Sequence, residues 1–352
     1  MGGVGKKRVT CLMQKILVTG NEGYIGSVLV ERLLQKGYHV IGFDLGIFKD
    51  VAFGKERTAP RQQIYKDVRD MTIDDLRGID AVIHLAALSN DPLGYLDPEL
   101  TFAINHVASV RLASIAKEAG VKRFLFSSSC SIYGVAGDAL AEEEAPLNPQ
   151  TPYAESKVRA ERDIAMLADE TFSPVFLRNA TVFGISPRMR LDLVAQDLAA
   201  SGYVLGSIKV ISDGTPWRPL IHIQDVADAF CLILELPVDK IHNRAFNIGH
   251  RDNNLQVAEI ARAVARHIPG SRVDIRNEIV DDKRSYRVDF SQGYALGFRP
   301  RWTIDPGIKE IIDAFKRYSL NREDLASDSY ITLKRYQTLM GEGKMDRALR
   351  LV

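Results

Sequence analysis

From Lys15 onward, short apolar, β-branched runs alternate with longer stretches of helical period. KILVT (15–19), HVIGFD (39–44), DAVIHLAA (80–87) and RFLFSSS (123–129) are apolar on successive positions, as parallel strands covered on both faces are. Between them the pattern predicts a helix from about Tyr24 and a long one from about Pro98 to Ala119. This alternation predicts a doubly wound α/β sheet over residues 14–178. After PVFLR (174–178) the rhythm loosens, broken by Pro187, Gly202, Gly206, Gly214, Pro216 and Pro219. A smaller, mixed α/β lobe is therefore expected over 179–318, interleaved with the first domain, with helical periods at 223–236, 256–267 and 305–318. The charged tail, 319–352, reads as one or two amphipathic helices, and residues 1–13 as an unfolded extension, with Met13 as an alternative start.

Composition adds exclusions more than assignments. A length of 352 residues allows about two domains, and a formal charge of +1 builds no field for nucleic acid or an anionic membrane. No apolar run approaches the roughly 18 residues of a membrane span, and the first residues lack a secretory apolar segment, so a cytoplasmic enzyme is the expectation. Cys11, Cys130 and Cys231 have neither disulfide-framework nor metal-ligand spacing. His84, with no companion at such spacing, reads as a strand-end packing residue, and no metal is expected.

KILVT runs into Gly20-Asn21-Glu22-Gly23-Tyr24-Ile25-Gly26 and then at once into a helix. Glycines there permit a tight turn and close approach of backbone to a pyrophosphate, which the helix N-terminus favours. The second strand ends in Asp44, eighteen residues beyond Gly26, where a carboxylate can accept from adenosine ribose hydroxyls. The same charge repels a 2′-phosphate, so NAD is expected over NADP. Asp67-Val68 could contact the adenine edge, or form a plain loop.

Tyr153 and Lys157 stand four apart at a helix start, on one face and about 6 Å apart at Cβ. An ammonium beside a phenol favours the phenolate, which a proton-abstracting tyrosine requires. Ser127-Ser128-Ser129 lie at the carboxyl end of a strand, the edge where open α/β sheets bind ligands. Ser129 could orient a substrate hydroxyl toward Tyr153, while Ser127 or Ser128 would cap or solvate a loop.

G20-x-x-G23-x-x-G26, Asp44, IHLAA (83–87), Asn105, SSSCSIYG (127–134) and Y153-x-x-x-K157 together resemble the extended short-chain dehydrogenase/reductase family, and within it the nucleotide-sugar epimerases and dehydratases. The resemblance spans about residues 14–318. It implies a Rossmann-type fold, bound NAD, Tyr153 as base, Lys157 on the nicotinamide ribose and Ser129 as the substrate-orienting hydroxyl. It further implies that Leu85, Ala86 and Ala87 back the cofactor, that Asn105 supports the site, that Tyr24, Ile25 and Ser127 belong to it, and that the chain is a homodimer joined through helices 98–119 and 150–168.

Dehydratases of this kind usually carry Thr-Asp-Glu where this chain has Ser129-Cys130-Ser131, so a conventional 4,6-dehydratase is disfavoured unless the Cys130 thiol donates the proton. Epimerisation at carbon 4 through a transient ketosugar is the first expectation. A dehydratase, a net oxidoreductase and an epimerisation through an enediol are the alternatives. Trp217-Arg218-Pro219-Leu220-Ile221-His222 resembles the stretch whose arginine reaches a substrate phosphate, which makes Arg218 the expected binder, with Arg284 and Tyr286 closing the pocket. Thr181 stands where such enzymes usually place a substrate Asn, with Asn179 two residues earlier, and Ser89-Asn90 begin a substrate-facing loop or a plain turn. A non-catalytic NAD sensor, or a scaffold built on the tail, is the competing class; sensors usually lose the Tyr or Lys, and both are present here.

Overall fold

The computed structural model describes residues 14–89, 97–276, 278 and 284–352. In chain order the strands are β1 (Lys15–Thr19), β2 (His39–Asp44), β3 (Gln62–Tyr65), β4 (Ala81–His84), β5 (Arg123–Ser129), β6 (Val135–Ala141), β7 (Ser173–Asn179), β8 (Thr181–Phe183), β9 (Ser207–Val210), β10 (Trp217–His222), β11 (Arg244–Ile248), β12 (Asn254–Gln256), β13 (Arg272–Ile275) and β14 (Ser285–Val288). The principal helices are α1 (Tyr24–Gln35), α2 (Pro98–Phe102), α3 (Ala108–Glu118), α4 (Pro152–Ala165), α5 (Val194–Leu205), α6 (Ile223–Glu235), α7 (Val257–His267), α8 (Ile304–Arg317) and α9 (Thr332–Gly341).

Seven strands form one sheet in the order β11-β7-β5-β4-β1-β2-β3, parallel throughout. Alternation along each strand divides the core. Ile16, Val18, Ile83, Leu125, Val175 and Leu177 meet α1 and α6 on one face, and Leu17, Val82, Phe124, Phe126 and Phe176 meet α3 and α4 on the other. This is the Rossmann-type architecture. After β8 the chain builds a three-stranded sheet, β12-β10-β8, and two strand pairs, β13-β9 and β14-β6, around α5, α7 and α8. It returns to the main sheet with α6 and β11, so the two lobes share one sheet. The tail supplies one α-helix, α9, whose Tyr336 and Leu339 join the main core together with Met345 and Leu349.

Two predicted elements differ in extent. The strand expected over 80–87 ends at His84, and Leu85–Ala87 run on as an irregular edge, held by Leu85 N–H on the Thr19 carbonyl (3.1 Å) and Ala86 N–H on Thr19 Oγ1 (3.2 Å). The helix expected over 98–119 contains a π turn, Ala103–Val107, between α2 and α3. Extra residues in a helical turn of this kind commonly mark a functional site.

Candidate active site

One cavity of about 590 Å³ runs along the carboxyl ends of β1, β2, β4 and β5 and on between β8 and β10. At its first end lie Gly20, Gly23, Tyr24, Ile25 and Gly26. A Cβ on Gly20, whose φ is +70°, would stand 2.8 Å from the Ala86 nitrogen, and one on Gly26 would stand 2.1 Å from the Gly20 carbonyl oxygen. The turn is thus fitted to glycine and leaves backbone, not side chain, facing the cavity. Asp44 lies beside it, its carboxylate accepting from the amides of Glu22 (3.1 Å) and Gly46 (2.8 Å). Burial raises the pKa of Asp44, an effect those amides partly offset, and the nearby Glu22 is raised by burial and by Asp44 itself. Asp44, the carboxylate of the two that lines the cavity, suits ribose hydroxyls and opposes a 2′-phosphate. Asp67 and Val68 line the same end, but both Asp67 oxygens already accept from Arg69. The cradle and the acid together fit an adenosine diphosphate half.

At the other end α4 is started by Thr151, whose Oγ1 accepts from Ala154 N–H (3.1 Å), followed by Pro152 at the first helical position. That start puts Tyr153 and Lys157 one turn apart on the cavity wall, with the Lys157 ammonium 5.7 Å from the Tyr153 ring centre. Lys157 donates to the Ser127 carbonyl (2.7 Å), and burial pushes its pKa down to about 7. Ser127, Ser128, Ser129, Ser131, Asn179, Thr181, Arg218 and Arg284 line this end, as do Leu85, Ala86, Ala87 and Ser89. Ser128 Oγ, Ser131 Oγ and Asn179 Oδ1 are buried without a protein partner, three polar atoms suited to a hydroxyl-rich ligand.

Two expectations change, and the support expected of Asn105 takes a specific form. Cys130 is buried outside the cavity wall, its thiol donating to the Arg178 carbonyl (3.1 Å), and burial raises its pKa far above the ordinary thiol range. The thiol is thus turned toward the Arg178 carbonyl and not into the cavity. Asn105, in the π turn, is fully buried and does not touch the cofactor space. Its amide spans Leu88 N–H (2.7 Å), the Leu88 carbonyl (3.1 Å) and Ser156 Oγ (3.2 Å), fixing the Leu85–Leu88 edge to α4. The capping hydroxyl of the serine run is Ser129, which accepts from Ser131 N–H (3.1 Å) and keeps its own proton to donate. Ser127 instead accepts from Asn179 (3.1 Å). Asn90 lies outside the described residues. His84 is held between Thr19 Oγ1 (2.6 Å) and Ser109 Oγ (2.8 Å), and burial pushes its pKa to about 3, so it stays neutral as a packing residue.

The wall also contains Arg188, Arg190, Asp192 and Asp197, which sequence reading passed over. Arg190 bonds Asp192 (2.8 Å) and the Ser89 carbonyl (3.3 Å), pinning the end of the Leu85–Ser89 edge. Asp197 lies on the cavity wall with its side chain open to solvent, and the protein packed around it and Asp192 push its pKa upward from the ordinary carboxylate value. The signal was available: in Pro187-Arg-Met-Arg-Leu-Asp-Leu193 charges alternate with Met189 and Leu191, both buried, so every second residue faces one side. Among the described residues seven cationic side chains and four acidic ones line the cavity, a balance suited to ligands rich in phosphate.

Residues 16–249 match the NAD dependent epimerase/dehydratase family. The chain belongs to this family. Among relatives of this epimerase/dehydratase-family enzyme, the UDP-glucose 4-epimerase of Mycolicibacterium smegmatis is 28% identical over 87% of this chain and 99% of its own length. That of Streptococcus mutans serotype c is 31% identical over 74% and 85%. The solved structure of MoeE5 in complex with UDP-glucose and NAD superposes with a TM-score of 0.75 at 28% identity, covering 86% of this chain and 99% of that one. The family enzyme is NAD-dependent, and no helix among its described residues is long and apolar enough to cross a membrane.

Proposed function

We propose that the protein is an epimerase of a nucleotide-diphosphate sugar, inverting carbon 4 through a transient ketosugar. The carrying observation is one continuous cavity that joins the glycine turn and Asp44 to Tyr153, Lys157 and Ser129 and on to Arg218 and Arg284. NAD would be held by Gly20, Gly23, Ile25, Gly26, Asp44, Asp67, Val68, Leu85, Ala86 and Ala87. When bound, it supplies the acceptor, and later the donor, of a hydride from a ring carbon.

Tyr153 takes the proton of the sugar hydroxyl at its phenolic oxygen, with Lys157 offering the phenolate an opposite charge. Ser129 donates to the sugar oxygen and holds it in line with Tyr153. The unpartnered hydroxyls of Ser128 and Ser131 and the Asn179 carbonyl bind other ring oxygens, with Thr181 and Ser89 alongside. Arg218, whose guanidinium is braced on the carbonyls of Trp217 and Arg284, takes the diphosphate. Once the ketosugar has turned so that the other face of carbon 4 meets the hydride that NAD would return, Tyr153 gives its proton back to the carbon-4 oxygen, and the reaction is redox-neutral.

A second reading, dehydration, is favoured by Asp197, a carboxylate with a raised pKa in the same cavity although none stands at 129–131. Incubation with UDP-, GDP-, CDP- and dTDP-sugars, followed by mass spectrometry and proton NMR, decides between them. An isobaric product with altered ring couplings is expected, and loss of one water would overturn the epimerase reading. The same proposal includes a cytoplasmic homodimer through α3 and α4, beside which Val107 and Met166 are exposed. Light scattering and cell fractionation test it.

A further inference from the structure

Beyond α8 the chain crosses back to the ends of β2 and β3, past the reach of the family match, which stops at 249, and of the sequence resemblance, which stops near 318. There Tyr336, Leu339, Met345 and Leu349 pack with Phe43, Ile47, Phe48 and Val68. Thr332, Tyr336 and Leu349 form part of the cavity wall at its adenosine end. Arg335 pins this segment to the Ile47 carbonyl (2.7 Å) and Asp50 (2.6 Å), and Arg350 pins it to Asp70 (2.5 Å). The carbonyls of Ala348 and Leu349 accept from Arg69, the residue that grips Asp67.

Arg188 faces the same space from the second lobe. It is 2% exposed, its guanidinium lies 3.8 Å from the Phe48 ring centre, and Nη2 donates to Thr332 Oγ1 (2.9 Å). Nε and Nη1 are buried without a partner. Two residues earlier, Ser186 Oγ donates to the Tyr24 carbonyl (2.8 Å) and meets Ser27 Oγ (2.9 Å), so the loop carrying Arg188 is tied to the first turn of α1, the phosphate-binding end. Burial and the neighbouring Arg190 lower its pKa to about 9, the condition of a cation short of a counter-charge. A buried guanidinium with two unspent donors calls for an anion.

We propose that residues 332–352 and Arg188 form a strap over the adenosine half of the NAD site, Arg188 donating from Nε and Nη1 to the cofactor's pyrophosphate while Tyr336 and Leu349 wall its adenosine. The strap rests on NAD as the bound dinucleotide and not on which sugar is turned over.

The test uses the full chain as purified, with Arg188→Met, Leu349→Ser and a truncation lacking 346–352. NAD retained after exhaustive desalting is measured by acid release, and affinities for ADP, NAD, NADP and adenosine by calorimetry on stripped protein. Arg188→Met is expected to weaken ADP and NAD by about tenfold or more, as loss of a charge-assisted hydrogen bond does, and to leave adenosine unchanged. Leu349→Ser and the truncation are expected to speed NAD loss several-fold and to weaken adenosine too. Should the truncation fail to fold, Leu349→Ser decides alone. Unchanged ADP binding by Arg188→Met, a loss confined to NADP, or unchanged NAD retention by Leu349→Ser overturns the strap. Intact binding differences alongside no sugar turnover would overturn the epimerase reading only.

Discussion

In the proposed reaction Tyr153 and Lys157 would act through their position on one helical turn, and each role has a separable signature. Tyr153→Phe removes the proton acceptor and leaves the fold and cofactor cradle alone; turnover of the sugar nucleotide should fall about 10²- to 10⁴-fold with NAD content unchanged. Equal turnover would remove Tyr153 from the chemistry. Lys157 carries a pH signature. Its pKa, lowered to about 7 by burial against an ordinary 10.5, means the folded chain sheds a proton that the unfolded chain keeps between those values. Stability contributed at this residue therefore rises with pH across that window. Melting temperatures of the parent and of Lys157→Met, scanned from about pH 7 to 10, should separate in the parent's favour as pH rises; a constant gap counts against it. At this scale Tyr153, Lys157, Asp44 and Ser129 were legible because each sits at a strand or helix end that the hydrophobic pattern already locates. Cys130 was misplaced, and the way Asn105 supports the site was not legible, because pattern shows that a residue is near a site, not which way its side chain turns; the Arg178 carbonyl and the π turn settle that.

The glycine turn is the element on which the cofactor end depends. Its third glycine is packed so closely on the first that Gly26→Ala must displace either the Gly20 carbonyl or the start of α1. A loss of about 1–3 kcal/mol in denaturant unfolding and a sharp fall in bound NAD are expected; full NAD content in the variant would show that the turn yields without cost. Strands β1, β2 and β5 could be read with correct ends, and helices α1 and α4 with near-correct starts, since apolar runs bounded by Gly, Pro and Thr carry their own punctuation. In Pro187–Leu193 the sequence shows that charges alternate with apolar residues, but not which space the charges face. The Met and Leu are buried in a segment without ladder hydrogen bonds, so only tertiary packing shows it.

At the scale of the molecule, a sheet whose edge strand β11 and covering helix α6 come from beyond residue 179 leaves no point at which the chain divides cleanly. A fragment of residues 14–178 would leave β7 as an open edge and the apolar face of β1, β4 and β5 uncovered on the α6 side. It should lack a cooperative thermal transition and bind a dye for exposed apolar surface; a sharp transition in the isolated fragment would show that the first lobe is self-sufficient. The bonds from Tyr24 to the Gly184 carbonyl (2.7 Å) and from Ser186 to the Tyr24 carbonyl cross the same boundary. Gly184 follows β8, and β8 pairs with β10, the strand that carries Arg218. The dinucleotide turn is thus joined by hydrogen bonds to the strand that carries Arg218, which in the proposed function meets the diphosphate. In the proposed function cofactor and sugar nucleotide would share that wall, and any coupling carried through it is reciprocal: whatever factor one ligand imposes on the other's affinity is returned in equal measure.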